Sequence, residues 1–153
     1  MTRKLAGLSI LLVALASCAR VESGGSPEAE LTIGFVDNSN FQYVDGCGCT
    51  FHLPGEKPTP GKQLLILAAA GEKAWINVNG EIIELKKMHD GIDFQGKVGD
   101  KYEQRYESAD TSVTVVCTAT GIGDTHAVDC GARITVTRGS LSKTVMAEGS
   151  CGC

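Results

Sequence analysis

Ala74-Trp75-Ile76-Asn77-Val78-Asn79-Gly80-Glu81-Ile82-Ile83-Glu84-Leu85 is the stretch that decides what kind of fold this chain can adopt. Asn79-Gly80 supplies two consecutive residues that tolerate positive φ, the requirement of the tight turn whose twist matches two flanking antiparallel strands. With those two residues as the loop, Val78 faces Glu81, Ile76 faces Ile83 and Ala74 faces Leu85. Side chains alternate along a strand, so Ala74, Ile76, Ile83 and Leu85 share one buried side. Trp75 and Asn77 fall on the other face and are the candidate contact residues, together with the loops.

Upstream of the hairpin, Gln63 to Ala70 is almost continuously apolar. Such a run is either a strand covered on both faces or a short buried helix, and periodicity does not choose between them. Before it lies a Pro/Gly-rich loop, Pro54 to Gly61. Leu31 to Val36 alternates as a strand, Asp37 to Asn40 reads as a turn, and Phe41 to Val44 leads through Cys47-Gly48-Cys49 to Phe51-His52-Leu53.

Downstream, Asp90-Gly91 reads as a turn. Lys101 to Glu107 is a polar strand whose charges suit a sheet edge. Thr111 to Ala119 alternates with Val113, Val115, Cys117 and Ala119 on one face, and Ile134 to Thr137 turns near Gly139-Ser140 into Thr144 to Ala147. A straight last strand puts Val145, Ala147, Gly149, Cys151 and Cys153 on one face. Eight to ten short strands between turn residues predict an all-β domain, a single small antiparallel sandwich or barrel.

The chain ends in Cys151-Gly152-Cys153, repeating Cys47-Gly48-Cys49. In extended backbone each motif offers two sulfurs to one side. An antiparallel register joins Cys47 to Cys153 and Cys49 to Cys151, stapling the C-terminus to the front of the domain. Cys117 and Cys130 bracket a Gly-rich connection and are read as a third disulfide. Two other chemistries use the same sulfurs. Cys47, Cys49, Cys151 and Cys153, with His52 nearby, form a possible thiolate site for Cu or Zn. A bridge within Cys47-Gly48-Cys49 would be strained and suited to thiol–disulfide redox work.

The first residues are basic, Arg3 and Lys4, and are followed by an apolar run from Leu5 to Ala16, too short to span a bilayer as a helix. The run ends in Leu15-Ala16-Ser17-Cys18, which resembles the lipobox of bacterial lipoproteins. The resemblance covers only this segment. It implies removal of residues 1–17, acylation of Cys18 and a membrane anchor there, with Ala19 directing the chain to the outer membrane of a Gram-negative host. Residues 18–30 then form a polar, flexible tether, and 31–153 the globular domain. Of seven cysteines, removing Cys18 leaves an even number, as an exported disulfide framework requires.

Loss of Arg3 and Lys4 leaves a mature net charge of about −6. An acidic domain with one Trp and 5% aromatic residues lacks the basic surface and stacking platforms that nucleic acid needs. His52, His89 and His126 are scattered, with no hydrolase or metalloprotease arrangement around them, and Met88-His89 alone does not make a copper site. Gly121-Ile122-Gly123-Asp124 matches no phosphate-binding loop and reads as a turn. The sequence therefore predicts a lipid-anchored envelope protein, a structural or binding module rather than an enzyme, with a protein or small-molecule partner that it does not identify.

Overall fold

A computed structural model describes residues 30–39, 42–43, 47–68, 71–92, 97–122 and 127–152. The signal, Cys18 and most of the tether lie outside these residues, as do Asn40, Phe41, Val44, Asp45, Gly46, Gly123, Asp124, His126 and Cys153. The described chain is all β: β1 (Ile33–Gly34), β2 (Gly48–His52), β3 (Leu65–Ala68), β4 (Lys73–Val78), β5 (Glu81–Ile92), β6 (Lys101–Glu107), β7 (Thr111–Ile122), β8 (Val128–Arg138) and β9 (Leu141–Gly152).

From β2 to β9 every strand pairs antiparallel with the next in sequence, and β9 returns to pair with β2. The result is a closed eight-stranded up-and-down barrel, which settles the choice between sandwich and barrel. Closure satisfies the backbone of both outer strands of the meander and leaves no long edge. An eight-stranded barrel is just wide enough for its own side chains or one small ligand. Here Phe51, Leu65, Ile76, Leu85, Tyr106, Val113, Val115, Ile134 and Val136 fill most of the interior, each fully buried.

The hairpin turns where expected. Asn79 and Gly80 have φ of 54° and 85°, and Val78↔Glu81, Ile76↔Ile83 and Ala74↔Leu85 are directly opposed. Ala74, Ile76 and Leu85 are buried, while Ile83 is only partly so. The apolar run at Gln63–Ala70 contains a strand, β3, buried along its whole length. Leu65 and Leu67 belong to the interior cluster. Outside the barrel, the segment before β2 runs over this region: Val36 bridges Gln63, Asn38 N–H donates to the Pro60 carbonyl, and the Asn77 amide donates to the Phe35 carbonyl.

Three expectations are corrected. Asp90-Gly91 is not a turn but part of β5, where the register shifts between Met88 and Ile92. A side chain at Gly91 would put its Cβ 2.2 Å from the Glu103 carbonyl oxygen, so the glycine permits a close crossing of β6. Strand β6 is not an edge; it pairs on both sides, with β5 and β7, and Tyr102 and Tyr106 point inward while Lys101 and Glu103 point out. The strand expected over Leu31–Val36 shrinks to β1 and an isolated bridge, because it adds to β4 only where β3 has ended.

The C-terminal strand behaves as its pattern predicts, with Ala147 and Gly149 buried and Cys151 inward. Gly149 sits directly opposite Phe51, and a Cβ there would lie 2.4 Å from the phenyl Cδ1. The ring occupies the space that a side chain at 149 would need. This contact packs the seam where first and last barrel strands meet.

Candidate functional site, the sulfur-lined mouth

The two Cys-Gly-Cys motifs meet at that same seam. Gly48 opposes Gly152 and Cys49 opposes Cys151, and the two cysteines are joined by a disulfide across 102 residues of sequence. Gly48 is required by crowding: a Cβ would lie 2.0 Å from the Leu67 carbonyl oxygen of β3. Cys47 is also disulfide-bonded. Cys153 falls outside the described residues.

Around the bridge opens a recess of about 420 Å³ at one end of the barrel. Its walls include Leu67, Val128, Cys47 and the Cys49–Cys151 bridge, with Tyr102 and Gln104 contributing the polar groups. The buried Tyr106 hydroxyl donates to Gln104 Oε1 at 2.6 Å, fixing how that amide is presented. A concave, mostly apolar site with a few placed polar groups is the usual form of a small-molecule pocket.

Directly beneath the recess lie the other two described cysteines. Cys117 and Cys130 are thiols, with sulfurs 3.5 Å apart and side chains almost fully buried. The third disulfide expected from the sequence is thus absent here: its two partners are diagonal neighbours on β7 and β8, in hydrogen-bonding contact and not bonded. Tyr102 lies directly opposite Cys117, and its hydroxyl is 3.7 Å from Cys130 Sγ and 3.0 Å from Cys151 Sγ. The bridged Cys151 has no hydrogen to give, so Tyr102 is the donor in that contact.

Burial, reinforced by the neighbouring Cys117 and Cys130, pushes the Tyr102 hydroxyl far above its ordinary pKa and keeps it a donor. The two thiols are driven apart. The hydrogen bond with Cys130 and then burial push Cys117 up, whereas the hydrogen bond shared with Cys117 holds Cys130 below its ordinary value against burial and the nearby Asp129.

The remaining sequence candidates are dispersed. His52 is buried outside the barrel, where Nδ1–H donates to the Leu53 carbonyl at 3.0 Å; it shares a separate outer cleft with Asp129, Glu148 and Ser150. His89 and Met88 beside it are both exposed. Trp75 and Asn77 lie on the outer face as expected, but the chain itself contacts both. Tyr43 stacks on Trp75 with ring centroids 5.5 Å apart, and Asn77 holds Phe35. A Cu or Zn thiolate site at the paired motifs requires the Cys49–Cys151 bridge to be reduced first, since a disulfide offers no thiolate.

Sequence reasoning missed Tyr102 and Gln104. Their signal was present in the period-two spacing of Tyr102, Gln104 and Tyr106, which marks one face of a strand otherwise dominated by charge. Comparison with family models, with curated proteins and with solved structures finds no match for this chain.

Proposed function

We propose that this chain is a lipid-anchored lipoprotein of the cell envelope, acylated at Cys18, whose barrel is a non-enzymatic binding module for a small, largely apolar ligand entering the sulfur-lined mouth. The recess at that mouth is the observation that supports the binding role. Its volume, about 420 Å³, suits one small molecule, and Leu67, Val128 and the bridge form an apolar wall facing the polar groups of Tyr102 and Gln104. A ligand with an apolar body and one hydrogen-bonding end matches that division. The lipobox supports the address: acylation at Cys18 would hold the barrel at a membrane surface through two or three chains.

One experiment on the full chain in a bacterial host tests both halves. Wild-type protein is expected to incorporate labelled palmitate and, in detergent, to shift Nile red emission to the blue. Cys18→Ser loses the label and leaves dye binding unchanged. Gln104→Trp fills the recess and weakens dye binding about tenfold, about 1.4 kcal/mol, while the label stays. Palmitate on the Cys18→Ser chain would contradict the anchor. Dye affinity indifferent to Gln104→Trp would contradict the mouth as the ligand site.

A further inference from the structure

Four of the five described cysteines form a row. Cys49 on β2 is bonded to Cys151 on β9. Cys151 is a diagonal neighbour of Cys130 on β8, since Val128 opposes Cys151 and Cys130 opposes Gly149. Cys130 is in turn diagonal to Cys117 on β7, and Tyr102 on β6 lies opposite Cys117. The row begins at the open mouth and ends in the packed interior, and one hydroxyl lies within 3.7 Å of both Cys151 and Cys130. A structural staple needs only the first two sulfurs. The dithiol contributes nothing to closing the seam, yet it occupies the place next to the bridge.

We propose that this row is a thiol–disulfide relay, in which the buried Cys117/Cys130 pair passes two electrons to the Cys49–Cys151 bridge and so delivers a reduced thiol pair to the mouth. In the first step the Cys130 thiolate attacks Cys151 Sγ. A Cys130–Cys151 bond forms, the Cys49–Cys151 bond breaks, and Cys49 leaves as the thiolate. In the second, Cys117 attacks Cys130, a Cys117–Cys130 bond forms and Cys151 leaves, accepting the hydrogen bond that Tyr102 already directs at its sulfur. The protons of Cys117 and Cys130 end on Cys49 and Cys151. One disulfide and two thiols are present throughout, so the exchange needs no outside oxidant or reductant.

Cys130 is suited to open the sequence, because it is the diagonal neighbour of Cys151 and its sulfur is in hydrogen-bonding contact with Cys117. The chemical class served is a disulfide presented at the recess, one per chain and not in turnover, because the Cys117/Cys130 pair holds two electrons. Cys49 thiolate attacks it, Cys151 resolves the mixed disulfide, and the bridge reforms as two substrate thiols depart. Ligand binding in the recess does not depend on the relay, so either can fail alone.

The test uses the full chain, exported through an oxidising compartment and purified anaerobically without added thiol. Iodoacetamide is added to the native protein, aliquots are quenched in acid over time, and peptides are mapped without reduction. The relay predicts label accumulating on Cys49 and Cys151 as the bridge moves to Cys117–Cys130. Cys130→Ser is expected to slow labelling of Cys49 about tenfold or more, because the attacking sulfur is gone. Cys117→Ser is expected to stop half-way, with a Cys130–Cys151 bridge and label on Cys49, and this product identifies the relay even if Cys130→Ser does not fold. Label confined to Cys117 and Cys130 over an intact Cys49–Cys151 bridge overturns the proposal. So does a chain isolated with Cys117–Cys130 and Cys49–Cys151 both bridged, which has no electrons to pass.

Discussion

Replacing Cys47, Cys49, Cys151 and Cys153 together with serine is expected to lower stability by about 4–5 kcal/mol, the chain-entropy value for a closed loop of roughly this length. The Cys49–Cys151 bridge spans 102 residues, nearly the whole barrel, so without it the unfolded chain gains its largest single freedom. Against the usual 5–15 kcal/mol of a folded domain this is a large fraction, and the melting temperature should fall on the order of 15 °C. Changing all four avoids a lone sulfur that could pair wrongly. Urea unfolding of the variant beside the oxidised parent reads the effect directly. A loss below about 1 kcal/mol would mean that the seam is held by its ladder and core alone.

The second large effect belongs to Phe51. Its ring is fully buried and fills the space above Gly149 at the β2–β9 seam. Phe51→Ala is expected to cost about 3–5 kcal/mol, from lost transfer energy and the cavity left behind. Gly149→Ala should cost about 1–3 kcal/mol for the opposite reason, since its Cβ meets a ring held in place. The two costs should not add. With Phe51 already alanine, the Gly149→Ala penalty should nearly vanish, giving a coupling on the order of 1–2 kcal/mol in a double-mutant cycle. Strict additivity would show that ring and glycine are not in contact.

What the sequence disclosed depended on whether local chemistry alone fixes a feature. The Asn79-Gly80 turn sets its own backbone twist, so the register of β4 and β5 could be read residue by residue. The Cys49–Cys151 pairing was legible because a period of two and an antiparallel register leave few alternatives. Other features depend on distant partners. Asp90-Gly91 carries a turn composition, yet Gly91 is needed for the crossing against Glu103 on the next strand. Charge in β6 suggested an edge, but barrel closure gives β6 two neighbours, and its tyrosines face the interior.

The site was half legible for the same reason. Both Cys-Gly-Cys motifs could be placed together, but the recess they border requires Leu67, Tyr102, Gln104 and Val128 from three other strands. Cys117 and Cys130 looked like the ends of a loop because they are near in sequence. In the barrel their more telling relation is to Cys151, which the pairing of β8 with β9 supplies and no spacing in the chain announces.

The most direct test of the central claim, that the two Cys-Gly-Cys motifs meet to close the barrel and build its mouth, is a non-reducing peptide map of freshly isolated, acid-quenched and alkylated chain. The closed seam predicts the Cys47–Cys49 peptide linked to the C-terminal peptide through Cys49 and Cys151, with alkyl groups on Cys117 and Cys130. A C-terminal peptide that runs free, or is linked only to the peptides bearing Cys117 or Cys130, would contradict it.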